Sequence, residues 1–246
     1  MKIAARTRAN KRLGKGIPKG YGMMTVALRS GDEGHAVGER SSVAVPSNPA
    51  AYGSGMNQTH LELLASDDWR ALLQDYLLPF AFGERSHGDL GDDVLEIGPG
   101  PGLTTDLLRG DLVKLTAIEL DSQLASALSA RLAGTNVDVV EGDGTAMAFE
   151  SARFTGAMTF TMFHHVPTVE LQDRLLEEIF RVLRPGGLLV ASDSVASEDL
   201  AALHIDDIYN PVDPLTLSAR LASMGFAEIE IEANSLGWRC HARRRA

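Results

Sequence analysis

The chain has 246 residues, 44% of them hydrophobic and 23% charged, with a net charge of -10 and a single cysteine, Cys240. That is enough apolar sequence for one α/β domain with a sizeable core. It excludes a disulfide framework and a multi-cysteine metal site, and no run approaches the roughly 18 apolar residues of a membrane span.

The charge is unevenly placed. Residues 1–55 carry nine Lys/Arg against three Asp/Glu, whereas residues 56–246 carry fourteen against thirty. An acidic body repels phosphate backbones, so nucleic acid is not the expected partner. Lys2, Arg6, Arg8, Lys11, Arg12, Lys15 and Lys19 form a basic run, and Gly- and Ser-rich sequence with Pro46 and Pro49 follows it. With no lasting apolar period, residues 1–55 are expected to form a disordered tail. No apolar stretch follows the basic run as it would in a secretory signal, and one cysteine suits a reducing compartment. A cytoplasmic location is therefore expected.

Met56 opens the patterned region, a domain expected to span 56–246. Leu61, Leu64, Trp69, Leu72, Leu73, Tyr76 and Leu77 recur at helical spacing, and Pro79 and Gly83 are expected to end that segment, making 56–90 a helical cap. Strands and helices then alternate. Residues 93–98 read as a strand, 103–109 as a short helix and 113–119 as a second strand. Asp121 can cap a helix bearing Leu124, Leu128 and Leu132 on one face. Residues 137–140 and 157–163 read as strands three and four. A long helix through Leu171, Leu175, Leu176, Ile179 and Leu183 should stop at Pro185-Gly186-Gly187. Residues 188–192 read as strand five. Asp213, Pro214 and Gly225 frame a further helix, and 227–231 with 236–241 read as two closing strands. This alternation predicts an α/β fold: a doubly wound, mainly parallel sheet with helices on both faces, whose ligand sits at the carboxyl ends of the strands.

The strand at 93–98 runs into three alternating glycines, Gly98, Gly100 and Gly102. A dinucleotide fingerprint requires G-x-G-x-x-G, but Leu103 stands where the third glycine belongs. Glu119 follows 21 residues after Gly98, where an acid can accept both ribose hydroxyls. Asp143, within Glu141-Gly142-Asp143-Gly144, can accept an adenine amino group. Glu96 lies in the strand beneath the turn, where a carboxylate would repel a pyrophosphate and welcome an ammonium or sulfonium. S-adenosylmethionine offers adenine, ribose, an ammonium and a sulfonium and no phosphate, so it fits all three acids.

Residues 94–102, Ile118-Glu119-Leu120-Asp121, Glu141-Gly142-Asp143, Phe163-His164-His165-Val166-Pro167 and Arg181-Val182-Leu183-Arg184-Pro185-Gly186-Gly187 together resemble the successive motifs of class I S-adenosylmethionine-dependent methyltransferases. The likeness covers roughly residues 60–242 and is nearest to the methyltransferase-11, or ubiquinone/menaquinone-methylase-like, group. It implies a seven-stranded Rossmann-like sheet with its last strand antiparallel. It also implies that Glu96, Gly98, Gly100 and Gly102 hold the methionine part, Glu119 the ribose and Asp143 the adenine. Leu120, Gly142, Gly144 and Thr161 complete the expected cofactor set.

The expected chemistry is in-line methyl transfer to a small-molecule acceptor. His164, His165 and Asp193 follow strands four and five and are the candidates for a catalytic or acceptor-anchoring role. Residues 199–211 read as a lid; its Asp206, Asp207 and Asn210 have the oxygen chemistry of hard-metal ligands but read as solvated, and no metal is expected. Ribosomal RNA adenine dimethyltransferases share the start of the glycine motif, yet carry an Asn-Leu-Pro-Tyr type motif where this chain has Thr161-Met162-Phe163-His164. Two more functions compete with methyl transfer to a small molecule: that of a nicotinamide-dependent oxidoreductase and that of a cofactor-binding regulatory protein without catalysis.

Overall fold

Apolar strands flanked by one-faced helices can bury both sides of a sheet only as a three-layer sandwich, and the chain adopts that arrangement. The computed structural model describes residues 57–246 and the backbone of one earlier strand, β1 (Val26–Arg29). The remaining strands are β2 (Asp93–Ile97), β3 (Lys114–Glu119), β4 (Val137–Glu141), β5 (Phe154–Phe160), β6 (Leu183–Ser194), β7 (Phe226–Ala233) and β8 (Gly237–Arg244). They lie in the order β1-β7-β8-β6-β5-β2-β3-β4. Strands β2 to β6 pair in parallel, and β8 is antiparallel to both neighbours. The expected seven-stranded sheet with an antiparallel last strand is thus formed by β2 to β8. Strand β1 adds an eighth at the edge, antiparallel to β7, within the segment expected to be a tail. An unpaired edge ladder such as that of β7 is a ready template for such an addition. The rest of the expected tail lies outside the described residues.

The strand order reverses at β2, with β3 and β4 on one side and β5 and β6 on the other. This is the crevice where ligands of doubly wound sheets bind. Side chains alternate across the sheet. Leu95 and Ile97 face a core shared with Leu171, Leu175 and Ile179, while Val94 faces one shared with Leu115, Leu128 and Leu132. Glu96 follows Val94 to that second side, which decides its role below.

Helix ends follow their caps. Asp121 accepts the N–H groups of Gln123 and Leu124 and starts α5 (Ser122–Leu132) after α4 (Leu103–Leu108). Asp213 caps α8 (Pro214–Met224), and Gly225 closes it at φ 102°. Three boundaries differ from expectation. Helix α6 (Val169–Val182) gives way to β6 at Leu183, five residues before the expected strand, because a residue preceding proline (here Arg184) is pushed out of helical geometry. Strand β5 ends at Phe160, which leaves Thr161, Met162 and Phe163 in the turn beyond its tip. The first helical stretch is broken into α1 (Gln58–Leu64), α2 (Asp67–Leu72) and α3 (Leu78–Phe82), with a π-helical turn at Leu73–Leu77. Pro79 does not end it: the helix runs on from α2 through the π turn into α3, and the wide turn directly before Pro79 accommodates its missing N–H. Gly83 does end it.

Candidate active site

The tips of β2, β3, β4 and β5 open into one cleft of about 470 Å³, a size suited to a single small ligand. The glycine turn forms its floor. Gly98, Gly100 and Gly102 all take positive φ, at 66°, 56° and 86°. A Cβ on Gly98 would sit 2.3 Å from Met162 Cγ, so at this position the close approach, as well as the φ, demands glycine. Glu119, at the tip of β3, accepts Gly100 N–H at 2.9 Å and Asp121 N–H at 3.0 Å. It thereby ties the turn to the next strand while keeping lone pairs for a ligand. Burial raises its pKa. Asp143, just past β4, uses Oδ1 to accept both the N–H and the hydroxyl of Thr145.

Eight of the expected cofactor residues line this cleft: Gly98, Gly100, Glu119, Leu120, Gly142, Asp143, Gly144 and Thr161. Glu96 and Gly102 are not among the lining residues. Gly102 is the N-cap of α4 and packs against Leu128. Glu96 is 1% exposed, and its two oxygens accept the hydroxyls of Thr104 and Thr105 at 2.5 and 2.7 Å. In this structure Glu96 is engaged by the two threonine hydroxyls and does not face the cleft. Its position in the strand's alternation points it into the helix layer, and α4 supplies the donors that an ion needs when out of water.

Burial pushes the Glu96 carboxyl up to about 7 from an ordinary 4.5. The folded chain then holds a proton that the unfolded chain has already lost between those pH values. Stability from this group is full below about pH 4.5 and is lost as pH rises through about 7. We expect urea unfolding midpoints, followed across that window, to fall more steeply for wild type than for Glu96→Gln, with other titrations cancelling in the comparison. Parallel pH profiles would remove this account of Glu96.

The opposite wall joins the sheet to the cap. Leu64, Trp69 and Leu73 of the cap line the cleft together with Met162, Val166 and Ile208. His165 lines the cleft here, but His164 and Asp193 do not. His164 is 4% exposed; its backbone N–H donates to Asp193 Oδ2 at 3.0 Å, and its Nδ1 meets Oδ1 at 2.7 Å. Burial works to raise the Asp193 pKa, yet the facing His164 and three hydrogen bonds outweigh it and hold the carboxyl below its usual range. The pair braces the turn that presents His165.

The expectation of a solvated loop acid at Asp207 is corrected. Its side chain is 4% exposed, lying 3.4 Å from His60 Nδ1 and 3.6 Å from His165 Nδ1. Helix α7 (Glu198–Leu203) ends on His204, whose ring packs against those of His60 and His165. Burial lowers the pKa of all three histidines, that of His60 to about 4, which favours their neutral form. Asn210 is a strut: its N–H donates to His164 O and its amide to Val166 O. Sequence reasoning misses His60 as a site residue. It stands 105 positions before His165, on a helix that carries no motif of its own.

The family model described as "Methyltransferase domain" matches residues 95–191. A probable ribosomal RNA small subunit methyltransferase A of Methanothermobacter thermautotrophicus is 32% identical over 158 residues, 58% of this chain and 57% of that protein. A probable S-adenosylmethionine-dependent methyltransferase of Mycolicibacterium smegmatis is 32% identical over 107 residues, covering 44% of this chain and 40% of that one. The chain thus spans little more than half of the first relative's length and less than half of the second's. Among solved structures, Haemonchus contortus phosphoethanolamine N-methyltransferase 2, in complex with S-adenosyl-L-methionine, superposes with a TM-score of 0.59 at 14% identity, over 78% of this chain and 61% of that one.

Proposed function

We propose that the chain is a class I S-adenosylmethionine-dependent methyltransferase, a reading supported by the methyltransferase-domain match over residues 95–191, and that it transfers a methyl group from S-adenosylmethionine to a small, partly apolar acceptor. The observation that carries this reading is the charge of the cleft. Its lining includes Glu119, Asp121, Glu141, Asp143 and Asp207, and among the described lining residues there is no Lys or Arg. Such a wall attracts a sulfonium and an ammonium and repels a pyrophosphate, which disfavours a nicotinamide dinucleotide.

In this reading Glu119 accepts the ribose hydroxyls and Asp143 the adenine amine, while the backbone of Gly98 and Gly100 lies along the methionine part. The bound cofactor supplies an electrophilic methyl on sulfur. The protein contributes alignment: the acceptor's lone pair must face the methyl opposite the breaking carbon–sulfur bond. Thr161, Met162 and His165 form the edge along which that acceptor lies, and α1 to α3 close over it as a cap. His164 and Asp193 are assigned as positioning residues behind His165. A cytoplasmic setting is part of the same proposal, supported by the free and buried thiol of Cys240.

Calorimetry tests the assignment. S-adenosylhomocysteine should bind and NADH should not. Asp143→Ala should weaken that binding by about 1.5 to 3 kcal/mol, the scale of hydrogen bonds to a charged group. NADH binding in place of S-adenosylhomocysteine would overturn the cofactor, and cofactor binding with no methyl transfer across a broad acceptor panel would favour a regulatory protein.

A second reading has one observation in its favour: the Methanothermobacter thermautotrophicus relative is described as a ribosomal RNA methyltransferase. Against it stand the acidic body and Thr161-Met162-Phe163-His164 at the position of that family's base-binding motif. Labelled methyl appearing in ribosomal RNA and not in small acceptors would move the conclusion there.

A further inference from the structure

Four side chains from separate parts of the chain converge at the acceptor end of the cleft. His60 comes from α1, His165 from the turn after β5, His204 from the end of α7 and Asp207 from the loop beyond it. One nitrogen or oxygen from each lies within 4.8 Å of the corresponding atom of every other. His60, His204 and the Asp207 side chain are each at least nine-tenths buried.

The hydrogen bonds of this cluster are incomplete in a specific way. His204 Nδ1 is 2.6 Å from Leu200 O. A carbonyl can only accept, so the proton is on Nδ1 and the lone pair is on Nε2. That Nε2 is buried and has no hydrogen-bond partner among the described residues. A buried acceptor left unmet costs about 1 to 3 kcal/mol. An imidazole held through Nδ1–H by a backbone carbonyl, with Nε2 free, is how proteins orient a metal ligand. The contacts of Asp207 point the same way. Its separations of 3.4 and 3.6 Å from His60 and His165 exceed the usual N–H···O range of about 2.7 to 3.2 Å. Donors bound at about 2.0 to 2.1 Å around a tetrahedral ion stand roughly 3.4 Å apart.

We propose that His60, His165, His204 and Asp207 bind one divalent first-row transition ion of the zinc or ferrous class. Three imidazoles and one carboxylate suit such an ion, whereas magnesium and calcium take oxygen donors. His165 and Asp207 also line the cleft, so the ion stands where an acceptor's oxygen or sulfur can reach it. It also locks the cap to the sheet. Asn57 already bridges the same elements, its amide donating to Leu203 O and Ile205 O at 2.9 and 3.2 Å. The inference goes beyond methyl transfer and does not depend on it.

The test uses tag-free protein stripped of metal with a chelator and then titrated with Zn(II). One equivalent should bind per chain, Mg(II) should not compete, and Co(II) should give the intense visible bands of a tetrahedral site. His204→Ala and Asp207→Ala should each weaken zinc binding more than tenfold, while His87→Ala, outside the cluster, should leave it unchanged. His204→Ala should keep its circular dichroism and its binding of S-adenosylhomocysteine, which shows that the fold survives. No saturable uptake, or uptake unaltered in both cluster variants, would overturn the site. Zinc binding without S-adenosylhomocysteine binding would leave the metal site standing and sink the methyl-transfer reading; the reverse would sink the metal site alone.

Discussion

Replacing Glu119 with alanine should weaken S-adenosylhomocysteine binding by about 3 to 4 kcal/mol, a loss of roughly 10²- to 10³-fold. The figure follows from what the carboxylate does at once. It accepts Gly100 N–H and Asp121 N–H, so it fixes both the glycine turn and the entry to α5. In the proposed complex it also accepts the ribose hydroxyls, and bonds to a charged acceptor contribute about 1.5 to 3 kcal/mol each. Alanine removes the ribose acceptor and frees the turn that cradles the methionine part. The unliganded protein should lose less, because the cleft is open to water and the two N–H groups can be hydrated there. Glu119→Gln should fall between wild type and alanine, since its amide nitrogen would confront one of the two backbone donors. Isothermal titration calorimetry beside a urea unfolding curve separates the effects. Wild-type affinity in Glu119→Ala would remove the ribose assignment, and a stability loss as large as the affinity loss would make Glu119 a structural residue.

The parts of this protein that are legible in its sequence are those set by local rules. Asp121 and Asp213 cap helices as their types and positions require, and Gly98, Gly100 and Gly102 take the positive φ angles that their spacing suggests. Glu119, Asp143 and Thr161 reach the cleft because residues at strand tips must. The place of Glu96 follows from a rule equally local. Proximity in sequence to the glycine turn suggests proximity to the ligand, but the two-residue period of a strand sends Glu96 to the α4 side, where Thr104 and Thr105 hold it.

What cannot be read is what depends on distant segments meeting. The burial of Asp207 requires α1 to fold across the loop after α7, and no spacing rule links His60 to Asp207. The Leu73–Leu77 π turn is another such case, because it is a matter of how the cap accommodates Pro79 rather than of apolar period. The pairing of His164 with Asp193 belongs here too: each is legible as a residue at a strand end, but the bonds between them, which hold both away from the cleft, are not.

That pairing sets the second large effect. Asp193→Ala should destabilise the fold by about 3 to 5 kcal/mol, the usual cost of removing one partner from a buried pair. Asp193 is 3% exposed and accepts from His164 N–H, His164 Nδ1 and Ser194 N–H. Alanine leaves these donors in a site from which water is excluded, whereas in Glu119→Ala the freed donors face the open cleft. The same change should loosen the turn carrying His165, so any methyl transfer should decline more than cofactor affinity does. Asp193→Asn is the informative companion. Its carbonyl oxygen can still accept His164 N–H, while its amide must donate to Nδ1, which forces the ring into the other tautomer and puts the proton on Nε2. That amide also confronts Ser194 N–H, donor against donor, so stability should recover only in part. Denaturant unfolding of the three proteins, read beside calorimetry with S-adenosylhomocysteine, decides the matter: if Asp193→Ala is as stable as wild type, the pair is not the brace behind His165, and Asp193 must be reconsidered as a group that acts on the acceptor directly.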